Sequence, residues 1–293
     1  MRVPYAVHVI VRFPAYRQYT AARIEVNDAM MALLIGARLG QHALSNTPAS
    51  PEVLLPTLFG QISGIARLNR TAGDAAQLLA DAERHLAYMA IPYALTVHSS
   101  FLVQAAAMLR DDGRDEDSAV HAIPRQEDLT KLSLETAHEY IAERCDENLD
   151  GNLLPLFDLT RRIRNRIVHF NGVAGSRLSA DYRKLSVDTR AGWEELARRP
   201  LGDAIESGRL EVAEGELIAV LAISHHLTRR INDLLARTLS REYWATTAVR
   251  DYREMYPRRF AERDRRLRRV IGHASRLYAP LRLTEAELRA AGA

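Results

Sequence analysis

The sequence predicts an all-α fold, and three observations predict it. Apolar residues recur at spacings of three and four along most of the chain. Pro, Gly and an Asn-Gly pair fall where such runs begin and end. No convincing run of alternating strand residues follows residue 20, and no internal repeat is visible. With 293 residues, 47% of them hydrophobic and 26% charged, the chain can build a sizeable core in one or two domains, which excludes a disordered protein.

A short strand is expected over about 7–13, followed by helices over about 20–43 and 51–67. The second helix places Ser50-Pro51 in cap and first-turn positions. A third helix begins at Asp74 and runs towards Arg110, bent at Pro92, where a backbone donor is missing. Residues 111–117, DDGRDED, read as an acidic connection. A helix over 127–145 carries Asp128, Glu135, Glu139 and Glu143 on its polar side. The next helix starts near Leu153 and stops near Asn171-Gly172, a C-terminal stop signal. Residues 173–209 read as irregular chain with short helices. A last clear amphipathic helix spans roughly 213–239, with Leu217, Val220, Leu221, Leu227, Ile231, Leu234 and Leu235 on one stripe and Ser224 its small polar member. The chain thus divides into an N-terminal helical region at 1–72, a helical domain at 73–240 and an Arg-rich helical segment at 241–293.

Composition narrows the function. The formal charge is only +3, yet of the 40 basic residues only Lys131 and Lys184 are lysines, the other 38 being arginines. Seven of those lie between Arg258 and Arg269, which predicts a local anionic partner rather than a global nucleic-acid coat. Cys145 is the only cysteine, so an intramolecular disulfide and a thiolate-rich metal site are excluded and a reducing cytoplasm is expected. The opening MRVPYAVHVIVRFP is interrupted by His8 and Arg12, too polar for a signal peptide. Residues 86–109 lack Asp, Glu, Lys and Arg, but Pro92, His98, Ser99, Ser100 and Gln104 mark a buried core helix, and no membrane partner is expected. His85, His98 and His138 have no partner at metal-ligand spacing, and His225-His226 diverge by about 100° on a helix. Neither a metal nor a cofactor is expected.

The chemistry-bearing stretch is LTRRIRNRIVHFNG, residues 159–172. With Ile163 at zero and about 100° per residue, Leu156, Leu159, Ile163, Ile167 and Phe170 fall within roughly 40° of one line, the core face. Arg162, Asn165 and His169 cluster on the far side, Arg161 and Val168 lie beside them, and Arg164 sits on the flank. Cations at a helix C-terminus meet unsatisfied carbonyls favourably, and that alone would account for the run.

The six residues Arg164-Asn165-Arg166-Ile167-Val168-His169 also resemble the motif of the HEPN family of helical ribonucleases: an Arg, a polar residue directly after it, and a His after four to six intervening residues. Other Arg-to-His spacings fit, but Arg164 alone is followed by Asn; Arg114-Asp115, with His121, meets the looser polar rule within the acidic connection. As architecture the resemblance covers about residues 74–240. It implies a HEPN-like antiparallel helical bundle and a metal-independent endoribonuclease. It further implies a homodimer with a composite site, and a toxin or phage-defence role with an antitoxin or defence partner protein. In HEPN toxins neutralised by nucleotidyl transfer a Tyr often lies two residues after the His; here that position is Asn171, so the resemblance does not extend to that mode.

RNA carries its own nucleophile, the 2′-hydroxyl. Cleavage needs a base for its proton, a donor for the departing 5′-oxygen and positive charge on the phosphorane, and no metal. His169 is expected to serve as base or acid, Arg164 to stabilise the anionic transition state, and Asn165 to orient the imidazole or a phosphate oxygen. Arg161, Arg162, Arg166, Arg265, Arg266, Arg268 and Arg269 are expected to hold RNA. A regular helix sets Arg164 and His169 about 140° apart, so two copies near a two-fold axis are expected to complete the site. The alternatives are a non-catalytic helical module that binds RNA or a protein on the same basic face, and a purely structural or DNA-associated protein that uses the C-terminal arginines.

Overall fold

A computed structural model describes residues 10–113, 133–149, 151–205 and 208–293, the side chains at 263 and 264 apart. The fold is all-α: the described residues form helices and turns, with two isolated β-bridges, Leu54 with Thr71 and Val173 with Arg209. The helices are α1 (Pro14–Ser45), α2 (Leu55–Phe59), α3 (Ala72–Ala80), α4 (Ala82–Asp111), α5 (Leu134–Arg144), α6 (Leu153–Phe170), α7 (Gly175–Arg183), α8 (Val187–Ala197), α9 (Leu201–Ile205), α10 (Glu214–Thr238), α11 (Arg241–Met255), α12 (Pro257–Ala261), α13 (Arg263–Leu277) and α14 (Glu285–Ala290). Hydroxyl caps start many of them. Thr71, Ser133, Ser186, Ser240 and Thr284 each accept the N–H three residues on, and Thr284 with Glu287 closes a full capping box.

Three expectations give way. The strand expected over 7–13 does not form in its described part. Val11 instead exchanges both backbone hydrogen bonds with the buried amide of Asn232 (2.9 and 2.7 Å), and Arg12 N–H donates to the Leu277 carbonyl (2.7 Å). Residues 7–9 lie outside the description. The helix expected over 51–67 shrinks to α2 and a 3₁₀ turn, Ile65–Arg67, because glycines interrupt it: a Cβ at Gly60 would stand 2.8 Å from the Pro56 carbonyl, and Gly64 has φ +84°. The helix expected from Asp74 to Arg110 breaks at Asp81, whereas α4 continues unbroken through Pro92. Residues 114–117 of the acidic connection and 127–132 of the following helix, with Arg114, Asp115, His121, Asp128 and Lys131, lie outside the described residues.

The chain forms two compact units assembled from separated segments: Met1–Arg23, Leu95–Asp158 and Ala222–Ala293 make one, Ile24–Ala94 and Leu159–Leu221 the other. Divisions at 72 and 240 do not express this arrangement, because α1, α4, α6 and α10 each contribute residues to both units. The first unit buries an aromatic-rich core around Phe13, Phe101, Ile141, Ile231, Trp244 and Tyr278. Asp251 is buried in the same unit and accepts from both Arg17 guanidinium nitrogens (2.9 and 2.7 Å), His273 Nε2 (3.1 Å) and the Tyr278 hydroxyl (2.9 Å). Burial alone would raise its carboxyl pKa; the hydrogen bonds from His273, Arg17 and Tyr278 outweigh that and hold it below the usual carboxylate range. The second unit buries Ile91, Leu159, Ile163, Trp193, Ile205 and Val220. α4 is long and apolar enough to cross a membrane by composition, but Ala87, Ala90, Ile91 and Ala94 in one unit and Leu95, Phe101, Leu102 and Leu109 in the other are buried as core.

Candidate active site

The site is built on the C-terminal half of α6. Leu156, Leu159, Ile163 and Ile167 are buried as the helical period predicts. Phe170 is the exception, 54% exposed rather than core. It is the last helical residue before Asn171 and Gly172 turn left-handed (φ +49° and +76°), and its ring carries the Arg166 guanidinium 4.5 Å above its centre.

That reversal is held from several sides. Gly172 N–H donates to the Arg166 carbonyl (2.9 Å), and Leu210 N–H donates to the Gly172 carbonyl (2.7 Å). Tyr88 lies against Gly172 so closely that a Cβ there would meet its hydroxyl oxygen at 2.1 Å, while the same hydroxyl donates to the Leu210 carbonyl (2.8 Å). The Gly172 requirement is therefore both steric and conformational. The end of the motif helix is clamped in place.

The arginines of the run separate into roles. Arg162 donates to Asp181 of α7 (2.8 Å), and Arg166 is held between the Phe170 ring and Gly175, whose Cβ would stand 3.0 Å from Nη2. Arg161 is half-buried. Arg164 Nη1 donates to Asn165 Oδ1 (3.0 Å), joining those two predicted site residues directly. His169 is exposed and takes no hydrogen bond among the described residues. α6 is uninterrupted from Arg164 to His169, so the separation of about 140° around the helix stands. Within one chain the structure brings Arg164 to Asn165 and leaves His169 apart.

The C-terminal arginines belong to the other unit and also divide. Arg265 and Arg268 are exposed, with no partner among the described side chains. Arg266 lies over the Phe260 ring (5.0 Å), and Arg269 pairs with Glu262 (2.9 Å) and donates to the Arg259 carbonyl (3.2 Å).

Sequence spacing missed a second constellation, in the unit that holds Asp251. His98 and His138, both buried, meet through their Nε2 atoms at 3.0 Å. His138 Nδ1 faces the Leu134 carbonyl (2.7 Å), which can only accept, so Nδ1 carries the proton and Nε2 accepts from His98. His98 Nδ1 then accepts from the Thr228 hydroxyl (3.1 Å). Burial pushes the His98 pKa well below 6.5 and that of His138 to about 4, which keeps both rings neutral. The residues are 40 apart in sequence, so no local spacing could have revealed the pair. His225 and His226 are both half-buried; burial lowers the His225 pKa to about 4. Among the described residues no three His, Cys, Asp or Glu side chains gather as a metal site.

No family model, curated protein or solved structure matches this chain.

Proposed function

We propose that the chain is a metal-independent, HEPN-like endoribonuclease with Arg164, Asn165 and His169 at its centre. The observation that carries this reading is the division of labour in one basic run. Arg162 and Arg166 are engaged by Asp181 and the Phe170 ring, whereas His169 is exposed with no hydrogen bond among the described residues, beside the linked Arg164-Asn165 pair on a clamped helix end. A run that served only to complement the helix carbonyls has no need of an immobilised backbone under an unengaged imidazole.

In this reading two copies face their motifs across a two-fold axis. One His169 takes the proton of the RNA 2′-hydroxyl, the oxygen attacks the adjacent phosphorus, and the other His169 protonates the departing 5′-oxygen. Arg164 places its planar fork of donors on the phosphorane oxygens. The RNA backbone is held by Arg161, Arg162 and Arg166 in one unit and by Arg265, Arg266, Arg268 and Arg269 in the other. A cytoplasmic toxin or phage-defence role, with a partner protein that restrains it, follows from the resemblance of the motif alone. One observation favours the rival, a non-catalytic RNA- or protein-binding module: among the described residues nothing in its own chain orients His169.

End-group analysis on a defined oligonucleotide in excess chelator tests the reading. The expected products are a 2′,3′-cyclic phosphate and a 5′-hydroxyl, with DNA left intact. His169→Ala is expected to lower the rate by about 100-fold or more, and Arg164→Lys to damage it nearly as much as Arg164→Ala. Retention of RNA without cleavage establishes the binding module instead.

A further inference from the structure

α1 runs on well past the residues that anchor it. Between 24 and 45 only Val26 and Leu34 are buried, although the stretch is rich in apolar side chains. One side of this half is occupied: Met30, Met31 and Leu34 line a shallow apolar depression with Leu86, Ala87 and Leu217, and Arg38 pairs with Glu83 (2.6 Å) and Glu214 (3.1 Å). The other side is uncovered among the described residues. At about 100° per residue, Glu25, Asp28, Ala32, Ile35, Leu39 and His42 fall within roughly 100° of arc. Ile35 is 52% exposed and Leu39 64%, and a Cβ at Gly36 would meet nothing within 4 Å. Positions 28, 32, 35, 39 and 42 alternate steps of four and three, the seam of a two-helix pair.

We propose that this face of α1 docks the same face of a second copy of the chain, antiparallel, about an axis passing between residues 33 and 34. Charge favours that orientation over the parallel one. Its first half is acidic and small, with Glu25, Asp28 and Ala32; its second half is apolar and ends in His42. Antiparallel pairing sets Ile35 against Ala32, Leu39 against Asp28 beside the space left by Ala29 and Ala32, and the imidazole of His42 against Glu25. Parallel pairing sets Glu25 on Glu25 and Asp28 on Asp28, which is repulsive, and leaves Ala32 facing Ala32 across a gap. An isologous contact of this kind closes on itself. One helix stripe covers less than the roughly 800 Å² per partner of a standard interface, so the pairing is weak and concentration-dependent.

This surface includes none of the residues of the ribonuclease reading and stands or falls without it. A chain that also paired through its α6 motif face would assemble beyond a dimer.

Cysteine cross-linking of the full-length protein tests the pairing. Glu25→Cys and His42→Cys are made separately, and Cys145, which is buried, provides the background in the unmodified chain. On mild oxidation the mixed sample is expected to form the Glu25→Cys to His42→Cys disulfide at least tenfold faster than either variant alone, because like positions in the antiparallel pair lie about 25 Å apart along the helix. Faster linkage of either variant to itself indicates a parallel pair and overturns the proposal. Cross-linking no greater than that of the unmodified chain overturns it as well. Leu39→Glu supplies a readout without cysteine: it is expected to raise the dimer dissociation constant tenfold or more in sedimentation with the thermal melt unchanged, and an unchanged constant also refutes the pairing.

Discussion

The two compact units both bury charge, Asp251 against Arg17 in one and Glu216 against Arg199 in the other, but they differ in what they expose. The unit containing residues 95–158 and 222–293 puts charged and polar groups inside: Asp251 with Arg17, His273 and Tyr278, and His98 with His138 and Thr228. Its surface exposes only one large hydrophobic side chain among the described residues, Met255. The unit containing 24–94 and 159–221 exposes Leu33, Ile35, Leu39, Met89, Tyr93 and Val168, among others. Monomeric proteins scatter exposed apolar residues singly, so their concentration in one unit makes that unit the candidate for contacts with other molecules. The candidate catalytic motif lies in that same unit. The first unit's internal networks have the opposite consequence: they fix one arrangement of the core and make it vulnerable to the loss of a single partner.

The largest expected effect breaks the first unit. Asp251→Ala removes the carboxylate that Arg17, His273 and Tyr278 share and is expected to cost about 3–5 kcal/mol in denaturant unfolding. His169→Ala, at an exposed position in the other unit, should cost no more than about half a kcal/mol. Equal losses from the two substitutions would erase the contrast between the units.

Acid is expected to act on the first unit next. His98 and His138 are held neutral in the fold, whereas in the unfolded chain they take up protons near pH 6.5. As pH falls from 6.5 towards 4 the unfolded state binds more protons than the folded state. Stability fully present above that window is therefore lost within it, on the order of 3 kcal/mol for His138 alone. Unfolding measured at pH 7.5 and pH 5 checks this. Replacing both histidines by apolar residues of similar size should flatten the pH dependence, and an unchanged acid limb would place its cause elsewhere.

A middle effect belongs to the motif end. Gly172→Ala must adopt φ +76° and displace Tyr88, at an expected cost of about 1–3 kcal/mol. Because it disturbs the segment that ends the motif helix, it should also reduce any RNA cleavage, whereas Tyr88→Phe, which loses one hydrogen bond, should cost about 1 kcal/mol. Wild-type stability in Gly172→Ala would show that the clamp is not needed.

What the sequence disclosed follows the range over which its signals act. The buried face of α6, its stop at Asn171-Gly172 and the outward position of His169 are set by local periodicity and local backbone preference, and all were legible. Phe170 was not, because the period assumes a helix that continues while the chain reverses one residue later. The helix expected over 51–67 failed for a related reason: Gly60 and Gly64 outweigh an apolar pattern too short to resist them. Asp251 meets Arg17 across 234 positions and His98 meets His138 across 40, and no spacing rule reaches that far. Tyr88, which fixes the motif end, is an ordinary aromatic in a long apolar helix until Gly172 lies against it. The opposite duties of Arg162 and Arg164, two residues apart, likewise depend on Asp181 arriving beside one of them.

The smallest expected change in stability is also the sharpest test of where the second unit does its work. Val168 is 48% exposed on the outward side of α6, between Arg164-Asn165 and His169, so Val168→Glu should leave the melt within about half a kcal/mol of wild type. An apolar residue in that setting gains most when a second chain covers it, and a glutamate there puts like charges together across a two-fold axis. If the catalytic site is composite, wild-type cleavage per chain should rise with protein concentration, and Val168→Glu should lose that rise and most of the activity with it. Leu39→Glu, aimed at the α1 face, serves as the comparison: loss of the concentration dependence in that variant alone would move the productive contact from α6 to α1. Wild-type activity per chain in Val168→Glu at every concentration would mean that each α6 works by itself, and that Arg164 and His169, about 140° apart on one helix, reach the same phosphate through the flexibility of their side chains rather than through a partner.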